Sequence, residues 1–187
     1  MNVPLERFLH TVSGRLRCRL IRFGGQPYLE RYYVATVFGM RVYLHRFVAS
    51  DPDRGLHDHP WSWAVSWILA GRYDEVRADP LARPRARARV VTRRAGRINR
   101  IRGTNFHRIL LPRDVRECWT LFVHGPRVKG WGFWRDRAFE PFIDGVGHHE
   151  TREWWRTAPR GFEVADRMPP GAGERRPATR PPRRRKI

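Results

Sequence analysis

The spacing of apolar residues divides the chain into a helical start and a long series of short strands. Over residues 1–24 the apolar residues recur at helical spacing and two glycines follow, so the pattern predicts one amphipathic helix. From about Tyr32 the period changes, and YYVATVF and RVYLHRFV on either side of Gly39 predict a β-hairpin. Further strand-like segments are WSWAVSWIL, RYDEVR, ARARVVT, GRINRI, HRILL, ECWTLFV and GWGFW. Many short strands without a long helix between them are typical of an antiparallel barrel or sandwich, a class that includes jelly rolls.

These elements predict four segments along the chain. Residues 1–30 form an N-terminal helical segment packed on the barrel, and residues 31–136 form the barrel itself. Residues 137–168 form a C-terminal extension with a short helix. Residues 169–187 are rich in proline and arginine and poor in apolar residues, so we expect a disordered basic tail there.

Composition narrows the class of protein. Apolar residues make up 41% of the chain and aromatics 12%, which excludes a wholly disordered protein. Two cysteines are too few for a disulfide framework or a cysteine-based zinc site. The chain has no apolar run of about 18 residues and its N-terminus lacks a secretory signal, so we expect a cytoplasmic protein without membrane contact.

The formal net charge of +20 fits an anionic partner such as nucleic acid. All but two of the 38 basic residues are arginines, however, and this skew, together with abundant alanine, glycine and proline, is also typical of a GC-rich genome. The sequence contains no helix-turn-helix, zinc-finger or RNA-binding motif. Charge alone therefore does not assign a function.

The segment RGLHDHPWSW carries the strongest chemical signal. His57 and His59 are two residues apart, so on an extended chain both imidazoles point to the same side. Two converging imidazoles can bind one metal ion if one or two further ligands come from elsewhere. The pair lies between a turn and an aromatic strand, which places it at the edge of a core.

At this point the sequence resembles the cupin superfamily of small metal-binding β-barrels. His57, His59 and Gly71 match its first motif, and Gly96 and His107 match the spacing of its second. The resemblance implies an all-β, cupin-type antiparallel β-barrel (double-stranded β-helix or jelly roll), here with an N-terminal helix and the basic tail. Because cupins commonly pair through their sheets, it also implies a homodimer.

The sequence departs from the family pattern at several positions. Ala64 (or Trp63) stands where the first motif has glutamate, and Arg102 and Leu111 replace the proline and asparagine of the second. Without that glutamate, the ligand set is reduced to three histidines, His57, His59 and His107. Such a set is similar to that of the thiol dioxygenases, for example cysteine dioxygenase, which bind iron. Three neutral ligands would leave the metal its full +2 charge, which favours an anionic substrate.

Two residues after the Gly71 turn are candidates for the catalytic chemistry. Tyr73 and Glu75 have the same strand parity, so both side chains can point into the barrel. Glu75 could be a metal ligand, a nearby acid or base, a partner of a ligand, or a surface residue. Tyr73 could donate a proton to a bound anion or oxygen species, or simply pack in the core.

The candidate substrate contacts are aromatic or cationic. Arg100 and Arg102 precede His107 and could clamp a carboxylate, although solvent-facing positions fit them equally well. Trp61, Trp119 and His45 could line the pocket or belong to the core.

The sequence therefore favours a metal-dependent cupin enzyme, and in its most concrete form a non-haem Fe(II) oxygenase acting on a small polar substrate with O2. One alternative is a zinc or nickel isomerase, lyase or hydrolase, and copper also suits three imidazoles. The other alternative is a non-enzymatic cupin that binds a small ligand, or nucleic acid through its basic tail.

Overall fold

One α-helix and twelve strands make up the part of the chain that the structure describes. The computed structural model describes residues 3–78, 88–136, 138–142 and 153–170. The elements are α1 (Val3–Arg15), β1 (Arg17–Phe23), β2 (Gln26–Val37), β3 (Met40–Phe47), β4 (Leu56–His57), β5 (Trp63–Ala70), β6 (Arg72–Ala78), β7 (Arg89–Arg94), β8 (Ile98–Arg102), β9 (Phe106–Leu110), β10 (Cys118–His124), β11 (Gly132–Arg135) and β12 (Ala138–Pro141). Two single 3-10 turns follow, at Trp154–Arg156 and Gly161–Glu163.

The strands form two antiparallel six-stranded sheets. Sheet one has the order β1-β2-β3-β10-β5-β8, and sheet two has the order β12-β11-β4-β9-β6-β7. Strands β3 to β10 alone give β3-β10-β5-β8 facing β4-β9-β6-β7, which is the strand order of an eight-stranded jelly roll. The predicted cupin-type β-barrel is therefore confirmed, with β1 and β2 extending one sheet and β11 and β12 extending the other.

The N-terminal helix is shorter than the apolar spacing predicts. It ends at Arg15, and residues 17–23 form β1, which pairs with β2. Leu16, Cys18 and Leu20 alternate with a period of two, and all three pack in one cluster with Leu9 of the helix. Leu16 and Leu20 by themselves also fit the helical spacing. Pairing with β2 makes this segment a strand rather than a helix, and the sequence of the segment alone does not show that pairing.

Two apolar clusters fill the space between the sheets and define the barrel interior. The deeper cluster contains Leu29, Phe47, Ile68, Tyr73, Ile109 and Cys118. The second cluster contains Tyr43, Trp61, Ala64, Ile101 and Phe122. The deeper cluster takes side chains from both sheets, so it lies inside the barrel.

A third cluster covers the outer face of sheet one beneath α1 and contains Leu9, Cys18, Tyr32, Leu44, Ala70 and Trp119. A buried ion network lies against this cluster, and in it Arg46 contacts Glu30 at 3.0 Å and Glu117 at 2.6 Å. Burial opposes the charge on Arg46, but the two carboxylates outweigh it and raise the pKa of the guanidinium. Arg46 also donates to the carbonyls of Met168 and Pro169, which ties the C-terminal extension to this face.

Part of the predicted C-terminal organisation lies outside the described residues. Residues 143–152, where the short helix was expected to begin, and residues 171–187 of the tail are among them. Within the described ranges, no helix is long and apolar enough to cross a membrane.

Candidate metal centre

Three histidines meet inside the barrel on the inner face of sheet two. His57 lies on β4 and pairs in register with His107 on β9, while His59 follows two residues after His57. One ring nitrogen from each residue lies within 4.8 Å of the other two. The Nε2 atoms of His59 and His107 are 2.7 Å apart. The predicted convergence of the three imidazoles is therefore present in the structure.

The loop that carries His59 is held by a close backbone approach at Gly103. The His59 N–H donates to the Gly103 carbonyl at 3.2 Å, and the Gly103 N–H donates to the Ser62 carbonyl at 2.8 Å. A Cβ atom on Gly103 would lie 1.7 Å from the Trp61 carbonyl oxygen, so no larger residue fits without moving the loop. The Trp61 ring stacks on His59 with a centroid distance of 4.0 Å, which fixes the imidazole from one side.

Asp58, between the two histidines of the pair, anchors the loop from the opposite side. Its Oδ1 accepts a hydrogen bond of 2.7 Å from the Gly132 N–H, and its Oδ2 pairs with Lys129. The Asp58 N–H donates to the Gly132 carbonyl at 3.1 Å. These contacts tie the histidine loop to β11, so Asp58 has a positioning role away from the three imidazoles.

Glu75 on β6 is the partner of His107. The Nδ1 of His107 lies 2.6 Å from Glu75 Oε1, so Nδ1 donates and Nε2 is left facing the other histidines. The fully buried carboxylate also accepts from Asn99 Nδ2 and from Arg93 Nε at 2.9 Å, and Arg77 lies 2.9 Å away. Burial opposes ionisation, but the hydrogen bond from His107 and the ion pair with Arg77 outweigh it and hold the pKa of Glu75 well below its usual range.

This geometry selects one of the roles that the sequence left open for Glu75. The carboxylate points to Nδ1 of His107 and is occupied by several donors, which fits a residue that orients a ligand. Tyr73 lies next to it in the deeper cluster, where its hydroxyl accepts from Asn99 Nδ2 at 3.1 Å. Burial and the neighbouring Glu75 charge raise the pKa of Tyr73, so its hydroxyl is protonated at neutral pH. Its role as a proton donor stays a prediction.

His57 and His59 are both held in the neutral form. Burial is the largest cause that lowers the pKa of both His57 and His59, and the neighbouring His107 imidazole adds to it. Arg54 contributes in the same direction at His57, and Arg31 does so at His59. A neutral imidazole keeps the ring lone pair that metal coordination requires.

The structure brings two of the predicted substrate contacts to the barrel interior. Trp61 stacks on His59, as described above. His45 on β3 is 3% exposed and stacks on Phe122 with a centroid distance of 4.8 Å, and Phe122 lies 5.6 Å from Trp61. Both residues therefore border the same interior as the three histidines.

Arg100, Arg102 and Trp119 are not brought to the histidines. On edge strand β8 the buried residues are Asn99 and Ile101, so strand alternation turns Arg100 and Arg102 to solvent. Trp119 is fully buried in the cluster beneath α1, where it stacks against Tyr32 and donates to Glu117.

The sequence analysis does not single out several polar residues near the histidines, among them Asn99, Arg31 and Arg54. Asn99 connects Tyr73 to Glu75, and its alternation with Ile101 is the signal that could have found it. Arg31 donates from Nε to His45 Nε2 at 3.2 Å, but its strand begins in a segment predicted to be helical. Arg54 lies over the rings of Phe133 and Phe23, in a turn without a recognisable pattern.

Comparison with known proteins shows likeness in fold only. No protein-family model matches the sequence, and no curated protein matches it either. Similar solved structures include a cupin-2 domain protein from Rhodospirillum rubrum, at 15% identity and a TM-score of 0.48, covering 65% of this chain and 76% of that chain. Another is a cupin-2 domain protein from Shewanella frigidimarina, at 16% identity and a TM-score of 0.40, covering 52% and 79%. The Fe(II) form of HppE is similar at 9% identity and a TM-score of 0.47, covering 58% of this chain and 56% of that chain.

This chain therefore spans little more than half the length of HppE. The assignment of fold rests on the jelly-roll strand order, and the assignment of the candidate site rests on the clustered imidazoles. The chain has a cupin-type fold with a three-histidine group inside its barrel.

Proposed function

We propose that the protein is a metal-dependent enzyme in which His57, His59 and His107 hold one divalent ion, with Fe(II) as the metal and oxygenation of a small polar substrate as the reaction. The observation that carries this proposal is the set of three ring nitrogens within 4.8 Å of one another inside a barrel. Three histidines at this spacing match the number and type of ligands that catalytic metal sites use.

The chemistry of the donor set fits a divalent transition metal. Imidazole suits iron, zinc, nickel and copper, and three neutral ligands leave coordination positions open and the +2 charge undiminished. When bound, iron supplies the capacity to activate O2 beside a coordinated substrate. A zinc or nickel site would serve an isomerase, lyase or hydrolase, and copper would suit the same ligands.

The surrounding residues support such a site without being ligands themselves. Glu75 fixes the tautomer of His107 through the bond at Nδ1, and Asn99 holds Glu75 in place. Trp61 covers one face of His59 and limits the approach of water from that side. Because Glu75 is ionised and its carboxylate is occupied by donors, its role is to position His107, and a proton would have to come from another group.

The test is O2 consumption by the Fe(II)-reconstituted protein, prepared without oxygen and mixed with small thiols, amino acids and hydroxy acids. We expect substrate-dependent O2 uptake by the wild type, and we expect His107→Ala to abolish it. The control Arg102→Gln removes an exposed charge on β8 and should preserve the uptake. If the protein with one equivalent of zinc or nickel converts one of these substrates without O2, the oxygenase assignment is wrong and the protein is a non-redox enzyme. If the protein binds no metal, the enzyme proposal fails as a whole.

A further inference from the structure

A row of polar side chains crosses the inner face of sheet one, opposite the sheet that carries His57 and His107. The register pairs Arg31 on β2 with His45 on β3, and His45 with Thr120 on β10. Thr120 alternates with Cys118 and Phe122, each of which packs in an interior cluster. The three side chains therefore form one layer that points into the barrel.

Thr120 has a buried hydroxyl with no partner. The residue has no exposed surface, and its Oγ1 makes no hydrogen bond among the described residues. A buried hydroxyl without a hydrogen bond destabilises the folded state, so such groups often mark the place of a bound polar molecule. Because Thr120 lies in the layer that faces the interior, a ligand held between the sheets would supply the missing hydrogen-bond partner.

Arg31 supplies a cation without a counter-charge. Its Nε donates to His45 Nε2 at 3.2 Å, and its Cζ lies 5.4 Å from the centre of the Tyr43 ring. Within the described ranges, no carboxylate lies within 4.0 Å of this half-buried guanidinium. The two terminal nitrogens can therefore present a pair of donors to an anion, and a planar carboxylate matches that fork.

His45 links the cation to the hydroxyl. Because Arg31 Nε can only donate, His45 Nε2 must accept, and in the neutral ring the proton then resides on Nδ1. Burial and the charge on Arg31 lower the pKa of His45 well below its usual value, so the ring is neutral. The row therefore contains one positive charge and neutral hydrogen-bonding groups.

We infer that Arg31, His45 and Thr120 form a subsite that binds the carboxylate of a small substrate whose other polar end reaches the three histidines. The inference deepens the proposed function and rests on it for the second contact. Phe122 and Trp61 form the aromatic wall between the two ends, since Phe122 stacks on His45 and Trp61 stacks on His59. With one positive charge in the row, a monoanion is neutralised, whereas a dianionic phosphonate leaves excess negative charge in a buried place.

Calorimetric titration of the full-length Zn(II)-loaded protein tests the subsite without turnover. The probes are 3-hydroxypropionate, 3-aminopropionate and 3-mercaptopropionate, each with its primary amide, together with 2-hydroxyethylphosphonate. We expect each carboxylate to bind about tenfold or more tightly than its amide and more tightly than the phosphonate. Arg31→Gln should remove the preference for carboxylate over amide, and Thr120→Val should weaken carboxylate binding several-fold. Arg102→Gln removes the same charge outside the barrel and should leave binding unchanged.

Metal content, measured first on each variant, separates the two proposals. The subsite is refuted and the metal site stands if the wild type binds the amides as well as the carboxylates, or binds no carboxylate at millimolar concentration. The same conclusion follows if Arg31→Gln retains zinc and keeps the wild-type preference for carboxylate. If Arg54→Gln rather than Arg31→Gln removes the preference, the anion lies against Phe133 and the inference is wrong. If the wild type holds no metal, the proposed function fails, and the carboxylate preference measured on the metal-free chain still decides the subsite.

Discussion

Replacing Glu75 with glutamine removes one negative charge from behind His107 and preserves the shape of the side chain. The carboxylate accepts the 2.6 Å bond from His107 Nδ1, and it also balances the charges of Arg77 and Arg93 at 2.9 Å each. A glutamine oxygen can still accept from Nδ1, but it no longer stabilises positive charge that develops on the imidazole. The variant therefore tests the positioning role of Glu75 separately from its bulk.

The expected loss follows from the contacts at this site. Hydrogen-bond partners of metal-bound histidines typically contribute about 10- to 100-fold in metal affinity, so E75Q should weaken metal binding by about 1.4 to 2.8 kcal/mol. The free energy of unfolding should fall by less in E75Q than it would if a fully buried ion pair were broken. The side chains of Arg77 and Arg93 keep 13% and 21% of their surface exposed and can turn to water, so we expect about 1 to 3 kcal/mol.

Competition with a chromophoric chelator measures the metal affinity, and urea unfolding of the metal-free protein measures stability. The matched control is Asp74→Asn, which makes the same change one residue earlier on β6, where Asp74 accepts from Thr92 on the outer face. We expect the control to bind metal as the wild type does. If E75Q keeps wild-type affinity, or if D74N loses as much, Glu75 does not hold His107 for metal binding.

Three further perturbations test other parts of the account. Gly103→Ala should abolish metal binding while the protein remains folded by circular dichroism, since a Cβ atom would lie 1.7 Å from the Trp61 carbonyl; unchanged metal content would contradict this. Arg46→Met should destabilise the protein by about 3 to 5 kcal/mol in urea unfolding, because Glu30 and Glu117 lose the buried guanidinium between them. Adding E30Q and E117Q should recover most of this loss if the uncompensated charge is its cause. The pKa of His124 is lowered to about 4, mainly by burial, so the folded state prefers the neutral ring and loses stability as pH falls from about 6.5 to about 4. His124→Phe should flatten this loss by up to about 3 kcal/mol, and an unchanged slope of unfolding free energy against pH would refute the assignment.

The sequence predicted the features that local spacing determines. The pair His57 and His59 follows from an extended chain, and the parity of Tyr73 and Glu75 correctly places both side chains inside. His107 came from the spacing of a motif, and its pairing with His57 in register explains why that spacing suits a common site. The hairpin at Gly39 was also correct, because Phe38 and Gly39 both take the positive φ that a two-residue turn requires.

The remaining features depend on which strands become neighbours. Arg31 reaches His45 only because β2 pairs with β3, and the first part of β2 lies in residues 1–30, which were predicted to be a helical segment. Whether Glu75 is a ligand or the partner of a ligand depends on the pairing of β6 with β9. Strand parity does not predict that pairing. The position of Trp119 could not be predicted for the same reason. Its apolar side chain fits either face of β10, and it lies on the outer face because α1 covers that face.

Metal analysis of the purified full-length protein shows whether the three histidines bind a metal ion. Wild type, His57→Ala, His107→Ala and the surface control Arg102→Gln would be compared by mass spectrometry after reconstitution with Fe(II) and removal of excess metal. We expect about one equivalent of metal in the wild type and in the control, and a loss of most of it in both histidine variants. A wild-type protein that binds no metal, or histidine variants that retain a full equivalent, would contradict a metal centre at His57, His59 and His107.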